Sequence, residues 1–145
     1  MAFLAGERLT AGRANRLQPR TYPIAIGSGT IAASSTNVDV PSATITLTTE
    51  AAGATFKVWA VFDFNSLGAS AGSSTGRLVV DGANQVPLAV FRQDATADRG
   101  THAQSYTGTL AAAGSHTFKL IVSTSTNTEC LGSNTYLVVE ITEVA

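Results

Sequence analysis

Thr55-Phe56-Lys57-Val58-Trp59-Ala60-Val61-Phe62-Asp63-Phe64 is the stretch whose reading decides the fold. β-Branched and aromatic residues suit a pleated surface whose side chains alternate between two faces, so the stretch reads as a strand. One face takes Phe56, Val58, Ala60, Phe62 and Phe64 and is apolar throughout. The other takes Lys57, Trp59, Val61 and Asp63, polar at its ends and apolar in the middle. A strand in a two-layer sandwich needs only one apolar face. The second apolar centre calls for cover beyond a single sheet partner, from a long loop or another subunit. Trp59 and Val61 are therefore the candidate oligomer-interface residues.

Short β-patterns with turn signals between them lie on both sides of this strand. Residues 22–31 read as a first strand, with Pro23 at an edge or start and Gly27-Ser28-Gly29 as an interruption. Residues 43–49 alternate Thr44, Thr46 and Thr48 toward solvent against Ile45 and Leu47 inward. Asp81-Gly82 is a hairpin signal after residues 77–80, and residues 86–91 return, with Pro87 again marking an edge. Residues 104–110 and 116–123 suggest a second hairpin, and residues 135–142 close the chain with Leu137, Val139 and Ile141 on one face. Residues 65–76, 92–103 and 124–134 read as polar surface loops, the last holding Cys130. Seven or eight strands with no convincing helix after residue 17 predict an all-β antiparallel sandwich or jelly roll. An immunoglobulin-like sandwich is the alternative, but its Cys…Trp…Cys spacing is absent.

At 145 residues the chain is most simply one body with a short appendage. Only 13% of residues are charged against 44% hydrophobic, so Ser, Thr, Asn and Gln must supply most of the polar surface. No run approaches a membrane span of about 20 apolar residues, and the start lacks the apolar core of a secretory signal. One cysteine and two distant histidines, His102 and His116, exclude an intrachain disulfide and a zinc cluster.

The charge is uneven. Arg8, Arg13, Arg16 and Arg20 are opposed only by Glu7 in the first twenty residues, whereas the rest holds five basic and nine acidic side chains. A basic arm on a mildly acidic body is the result. The arginines are not interleaved with stacking aromatics and the body has no basic patch, so the arm reads as a protein-docking element, with no nucleic acid and no membrane as partner. Thr10 is a candidate N-cap for a short helix that Pro19 should end by Gln18. Two turns containing Gly12 are marginal alone, so the arm of residues 1–21 is ordered where it packs. Phe3, Leu4, Arg8, Leu9, Arg13, Arg16 and Leu17 are the candidate docking residues.

Phe3-Leu4-Ala5-Gly6-Glu7-Arg8-Leu9-Thr10-Ala11, continuing through Asn15-Arg16-Leu17, resembles the start of small virion structural proteins, of minor-tail or decoration type, from tailed bacteriophages of actinobacteria. That pattern usually places a hydrophobic residue before the Asn, where this chain has Ala14, and Gly12 is also unusual for it. The segment Tyr106-Thr107-Gly108-Thr109-Leu110-Ala111-Ala112-Ala113-Gly114-Ser115-His116-Thr117-Phe118-Lys119-Leu120 is similar to the strand-turn-strand of jelly-roll domains on phage fibres and tail appendages. The resemblance touches roughly the first seventeen and last forty residues. It implies a virion component, often trimeric, with a jelly-roll body over residues 22–145.

Candidate chemistry is thin. Asp94, Asp98, Arg99 and His102 share one polar loop, but a hydrolase needs a nucleophile or paired carboxylates at fixed separation, which one loop does not specify. Asp94 and Asp98 offer oxygens to calcium without an EF-hand pattern. Cys130 has no basic neighbour in sequence to activate it. No catalytic, metal or cofactor residue is assigned. The expected function is a non-enzymatic virion structural protein, made in the host cytoplasm: a homotrimeric, tail-associated knob attached to another virion protein through residues 1–21. A capsid decoration or head-fibre protein is the near alternative. A module binding host-surface glycan, through loops 65–76, 92–103 and 124–134, is the rival from another class. It calls for an exposed aromatic beside Asp or Asn at the loop ends. Tyr22, Tyr106, Tyr136 and Trp59 fall in strands, where core or interface is expected. A polysaccharide-degrading enzyme ranks third.

Overall fold

The computed structural model describes residues 10–69 and 71–143, without the side chain of Arg13. A six-residue helix, α1 (Ala11–Arg16), precedes the strands. These begin with β1 (Arg20–Thr21), β2 (Ala25–Ile26), β3 (Thr30–Ile31), β4 (Val38–Thr49), β5 (Ala54–Ser66) and β6 (Gly72–Val80). They continue with β7 (Ala83–Asn84), β8 (Ala89–Gln93), β9 (Arg99–Leu110), β10 (Gly114–Ser123), β11 (Thr128–Leu131) and β12 (Tyr136–Thr142). Eight have four residues or more, and β1, β2, β3 and β7 are two-residue pieces.

Every pairing is antiparallel. The broken strand β1–β2–β3 lies against β12 and β11, β4 against β10, β5 against β9, and β6 against β8. These four pairs nest inside one another along the chain, so the fold is a long double-stranded hairpin rolled up: a jelly roll. Rolling puts β1, β2, β3, β12, β11, β5 and β9 in one sheet and β4, β10, β6, β7 and β8 in the other. The decisive stretch lies in β5, which is central because β9 flanks it on one side and β12 and β11 share the other.

The core forms between the sheets. Phe56, Val58, Ala60, Phe62 and Phe64 all turn inward and are buried against Ile45, Leu47, Leu78, Val80, Phe118, Leu120 and Val122. Phe56 meets Phe118 edge-on at 5.4 Å between ring centroids. Two glycines make room for the rings. A Cβ on Gly76 would stand 2.3 Å from the Phe62 ring, and one on Gly108 would stand 2.6 Å from Phe56.

Several sequence expectations need correction. Residues 104–110 and 116–123 do not form a hairpin, because β9 pairs with β5 in the first sheet while β10 pairs with β4 and β6 in the second. The rolled topology sends β9 and β10 to opposite sheets, a long-range choice that turn residues do not encode. All three expected loops are partly strand: β6 starts at Gly72, β8 runs to Gln93, β9 starts at Arg99, and β11 takes residues 128–131. Cys130 therefore sits in a strand, paired with Phe64 and Ile31. Asp81-Gly82 does turn the chain, with φ of 49° and 82° that suit the left-handed region, and Gly27 to Gly29 do interrupt the first strand. The helix also ends before Gln18, and the first sheet pairing already occurs at Arg20, opposite Ile141.

Candidate functional site

The outward face of the first sheet is organised in cross-strand rows. Ile26, Tyr136, Val61 and Ala103 form one row, with each residue paired to the next across β2, β12, β5 and β9. Val138, Trp59 and Ser105 form the next, and Thr21, Glu140, Lys57 and Thr107 the one beyond. Cross-strand partners share a face, so two apolar rows lie beside one charged row. Trp59 is 44% exposed, Ile24 49% and Ile26 51%, while Val61, Tyr136 and Val138 are half-buried. Lys57 Nζ stands 3.9 Å from Glu140 Oε1, so the charged row is neutral overall. Trp59 and Val61 thus lie together at the centre of an apolar patch. Tyr136 was expected in core or interface, whereas Ile24, Ile26 and Val138 were not singled out from the sequence. The Ile24/Ile26 alternation after Pro23 was the available signal.

The patch ends at Asp63. This residue is on the outward side of β5 yet buried, because Arg99 and Asn134 close over it. Arg99 donates from Nη2 to Oδ2 at 2.7 Å and from Nε to Oδ1 at 3.2 Å, and Asn134 Nδ2 donates to Oδ2 at 2.8 Å. Burial pushes the Asp63 carboxyl up, but the hydrogen bonds and positive charge of Arg99, with Asn134, outweigh it and hold the group below the usual carboxylate range.

Asp94, Asp98, Arg99 and His102, to which no catalytic role was assigned, line one open groove, but the strand period splits Arg99 and His102 between the two sides of β9. Arg99 lies on the outward side of β9, whereas His102 turns inward and packs on Phe91 and Phe64, with centroids at 5.5 and 6.3 Å. Asp98 Oδ2 accepts the backbone N–H of Asp94 and Ala95 at 3.0 and 2.9 Å, which caps its own turn and lowers its pKa. An open groove of about 500 Å³ between β8 and β9 is lined by Phe91, Arg92, Asp94, Asp98, Arg99 and His102, with no Ser, Thr or Cys among its lining residues. His116 bridges Asp81 Oδ2 at 2.6 Å and the Ala112 carbonyl at 3.1 Å. Cys130 is fully buried, and burial pushes its thiol up to about 11. Among the described residues no three His, Cys, Asp or Glu side chains come together as a metal site.

The three predicted loop regions do converge at one end of the roll. Ser66 N–H donates to the Asp98 carbonyl and Leu67 N–H to that of Asn127, each at 2.7 Å. Buried Gln93 ties them further, donating to the Gly68 carbonyl and accepting from Thr128 Oγ1. Among the described residues, however, the aromatics of this end are buried: Phe64 and Phe91 lie in the core. Among the described residues the exposed aromatic is Trp59, on the sheet face.

At the opposite end the arm meets the body. Arg20 is paired with Glu143, whose carboxylate also accepts the N–H groups of Glu50 and Ala51 at 2.8 and 3.1 Å. Arg16 Nη1 reaches Glu50 Oε2 at 3.0 Å, and the Arg16 carbonyl accepts Glu143 N–H. Of the candidate docking residues, Arg16 is therefore turned onto the chain's own body and Leu17 is half-buried. Phe3, Leu4, Arg8 and Leu9, and the side chain of Arg13, lie outside the described residues. The Arg20–Glu143 clamp joins positions 123 apart and left no local sequence signal.

No protein-family model matches the chain, and no curated protein matches it. Solved structures with partial similarity include dimeric latent PorU from Porphyromonas gingivalis, at 10% identity and a TM-score of 0.49 over 86% of this chain; the chain spans only 13% of the length of that protein. Another is the CBM36-1 domain of a multidomain xylanase from the hindgut metagenome of Trinervitermes trinervoides, at 12% identity and a TM-score of 0.41 over 87% of this chain and 99% of that one. The infectious bursal disease virus Gx strain structure is similar at 10% identity and a TM-score of 0.42, over 88% of this chain and 38% of that one.

Proposed function

We propose that this chain is a non-enzymatic structural protein of a bacteriophage particle, made in the host cytoplasm. In this reading residues 1–21 anchor it to another virion protein, and residues 22–145 form a trimeric, tail-associated knob at the particle surface. The observation that carries self-association is the apolar face around Trp59, which no described residue covers and whose charged row is self-neutralising. The non-enzymatic part rests on commitment: Arg99 holds Asp63, Asp98 holds its turn, His116 holds Asp81, and Cys130 is buried. The virion assignment and the arm's partner rest on the resemblance of residues 3–17 and 106–120.

Light scattering on the full chain, and on one starting at Pro19 so that the Arg20–Glu143 clamp survives, tests the knob. Three copies in both supports the reading, and a single copy in both sinks it. Labelling of particles with an antibody to the body separates tail from capsid. An exposed Trp59 beside Tyr136 also favours a second reading, a platform for a host-surface glycan. The two compete for one face, so a trimer that buries Trp59 and is blank on a glycan array removes the second.

A further inference from the structure

Sheet edges invite pairing with another chain, and proteins blunt them with proline, charge, bulges or shortness. The second sheet follows that rule. On one side β4 carries Pro41 and a left-handed Ser42, and its pairing with β10 shifts register between Lys119 and Ile121. On the other, β7 and β8 are short, with Pro87 between them. β9, an edge of the first sheet, is blunted only by the charge of Arg99 at its start. It runs twelve residues without Pro or Lys, in unbroken register with β5 from Ala54↔Leu110 to Asn65↔Arg99. Its outward side chains, Thr101, Ala103, Ser105, Thr107 and Thr109, are small, uncharged and exposed. The opposite edge of the same sheet presents Ile24 and Ile26, about half exposed, at β2.

Strand direction makes these two edges complementary. β9 is antiparallel to β5, β5 to β12 and β12 to β2, so β9 and β2 run in opposite directions. We propose that β9 of one copy lies antiparallel alongside β2 of the next, closing three copies into a ring with the Trp59 faces inward. The inference rests on the self-association proposed above and names its contact. Sheet width sets the copy number. At the Ile26–Tyr136–Val61–Ala103 row the sheet is four strands wide, or about 19 Å at the usual strand spacing. Three such faces around an axis stand about 5.5 Å from it, half of the roughly 10 Å that separates packed sheets. Four faces would stand about 10 Å away and leave a channel lined by tryptophan, and two would stack without using β9. Rotation about an axis along the strands preserves height, so Ala103 meets the partner's Ile26. No like charges oppose across that contact, because β9 has none between Thr101 and Thr109.

Cysteine cross-linking of the full chain tests the contact. Ile26→Cys combined with Thr101→Cys, Ala103→Cys or Ser105→Cys scans the register, and each single variant is a control. Buried Cys130 stays out of the reaction. On oxidation, one of the double variants should give a covalent species of three times the 14.9 kDa chain mass on a denaturing gel, with the singles uncross-linked. Separately, Ser105→Lys, at an exposed edge position, should reduce the scattering mass from three chains to one. A wild-type trimer that yields no covalent trimer in the scan overturns this contact alone. Disulfide dimers from Ser105→Cys alone would mean that β9 pairs with itself, and would overturn it too. A wild-type protein that scatters as one copy overturns both this contact and the trimeric knob.

Discussion

Trp59→Ser removes the centre of the proposed interface while touching little of the core. Trp59 is 44% exposed on a sheet face, so of the ~200 Å² that a tryptophan buries, roughly 90 Å² remains to be covered by another copy. At about 25 cal/mol per Å² that is about 2 kcal/mol per copy and about 7 kcal/mol for three. With tenfold for each 1.4 kcal/mol, the three-chain dissociation constant rises about 10⁵-fold. The concentration at half-dissociation varies as its square root, so it should rise a few hundredfold. Sedimentation of wild type and variant across a dilution series reads this directly. A second readout comes free, since Trp59 is the sole tryptophan. Its emission in the wild type should shift to the red as dilution exposes it, in step with the loss of mass. The variant should keep the wild-type strand signal in far-UV circular dichroism, because the inward side of β5 is untouched. A wild-type emission that stays red and constant at every concentration, with identical masses for both proteins, would refute the reasoning.

Gly76→Ala should cost about 1–3 kcal/mol in urea unfolding, because its Cβ would sit 2.3 Å from the Phe62 ring; adding Phe62→Leu should recover part of the loss, and a neutral Gly76→Ala would contradict the packing. Arg20→Met leaves the buried Glu143 carboxylate with only two backbone donors. The loss should be about 2 kcal/mol, below the full cost of breaking a buried pair because Arg20 is partly in water. Asp63 and Asp81 are both held below the usual carboxylate range, against the push of burial, Asp63 by Arg99 and Asn134 and Asp81 by His116 and Thr117 N–H. A depressed folded pKa stabilises above the unfolded value of about 4 and is lost as pH falls through the folded one. Urea midpoints should therefore drop steeply below pH 4, and Asp63→Asn should flatten that limb while lowering the midpoint at pH 7. Cys130 should ignore a thiol reagent at neutral pH until the protein is unfolded in guanidinium; prompt labelling of the native chain would contradict its burial.

Period-two patterning made the strands legible because burial on one face repeats locally. Thr44, Thr46 and Thr48 are exposed over buried Ile45 and Leu47, and Leu137, Val139 and Ile141 are all inside. The three loop expectations ran too long for a related reason. Ser73, Ser74 and Thr75 carry no apolar signal, yet they pair with Arg92, Phe91 and Val90, and Ser74 is fully buried as an acceptor for Ser125 N–H. Small polar residues become strand when a partner strand and a buried hydrogen bond are supplied from far along the chain, and composition cannot announce that. Residues 104–110 and 116–123 failed as a hairpin in the same way. The five residues between them suit a turn, but a turn serves equally well to cross from one sheet to the other.

The apolar face shows where local reading reaches furthest. Two apolar faces on one strand cannot both be satisfied by a single partner layer, so the residue pattern of β5 alone demanded a third surface. The fold supplies what the pattern could not: β12 and β2 carry that face to Ile26, β9 ends it in small side chains, and Arg99 with Asn134 seals it at Asp63. A face sealed by charge at one end, neutral at the other and open at an edge blunted only at Arg99 differs from scattered surface hydrophobics. A lone exposed tryptophan needs no explanation, whereas two adjoining apolar rows beside a regular free strand expose surface and backbone together. A second copy answers both at once, because the face and the edge belong to the same sheet. A glycan would cover the rows and leave the N–H and C=O groups of β9 where they are, so protection of the β9 amides from hydrogen exchange at assembling concentrations, lost on dilution, is what only self-association predicts.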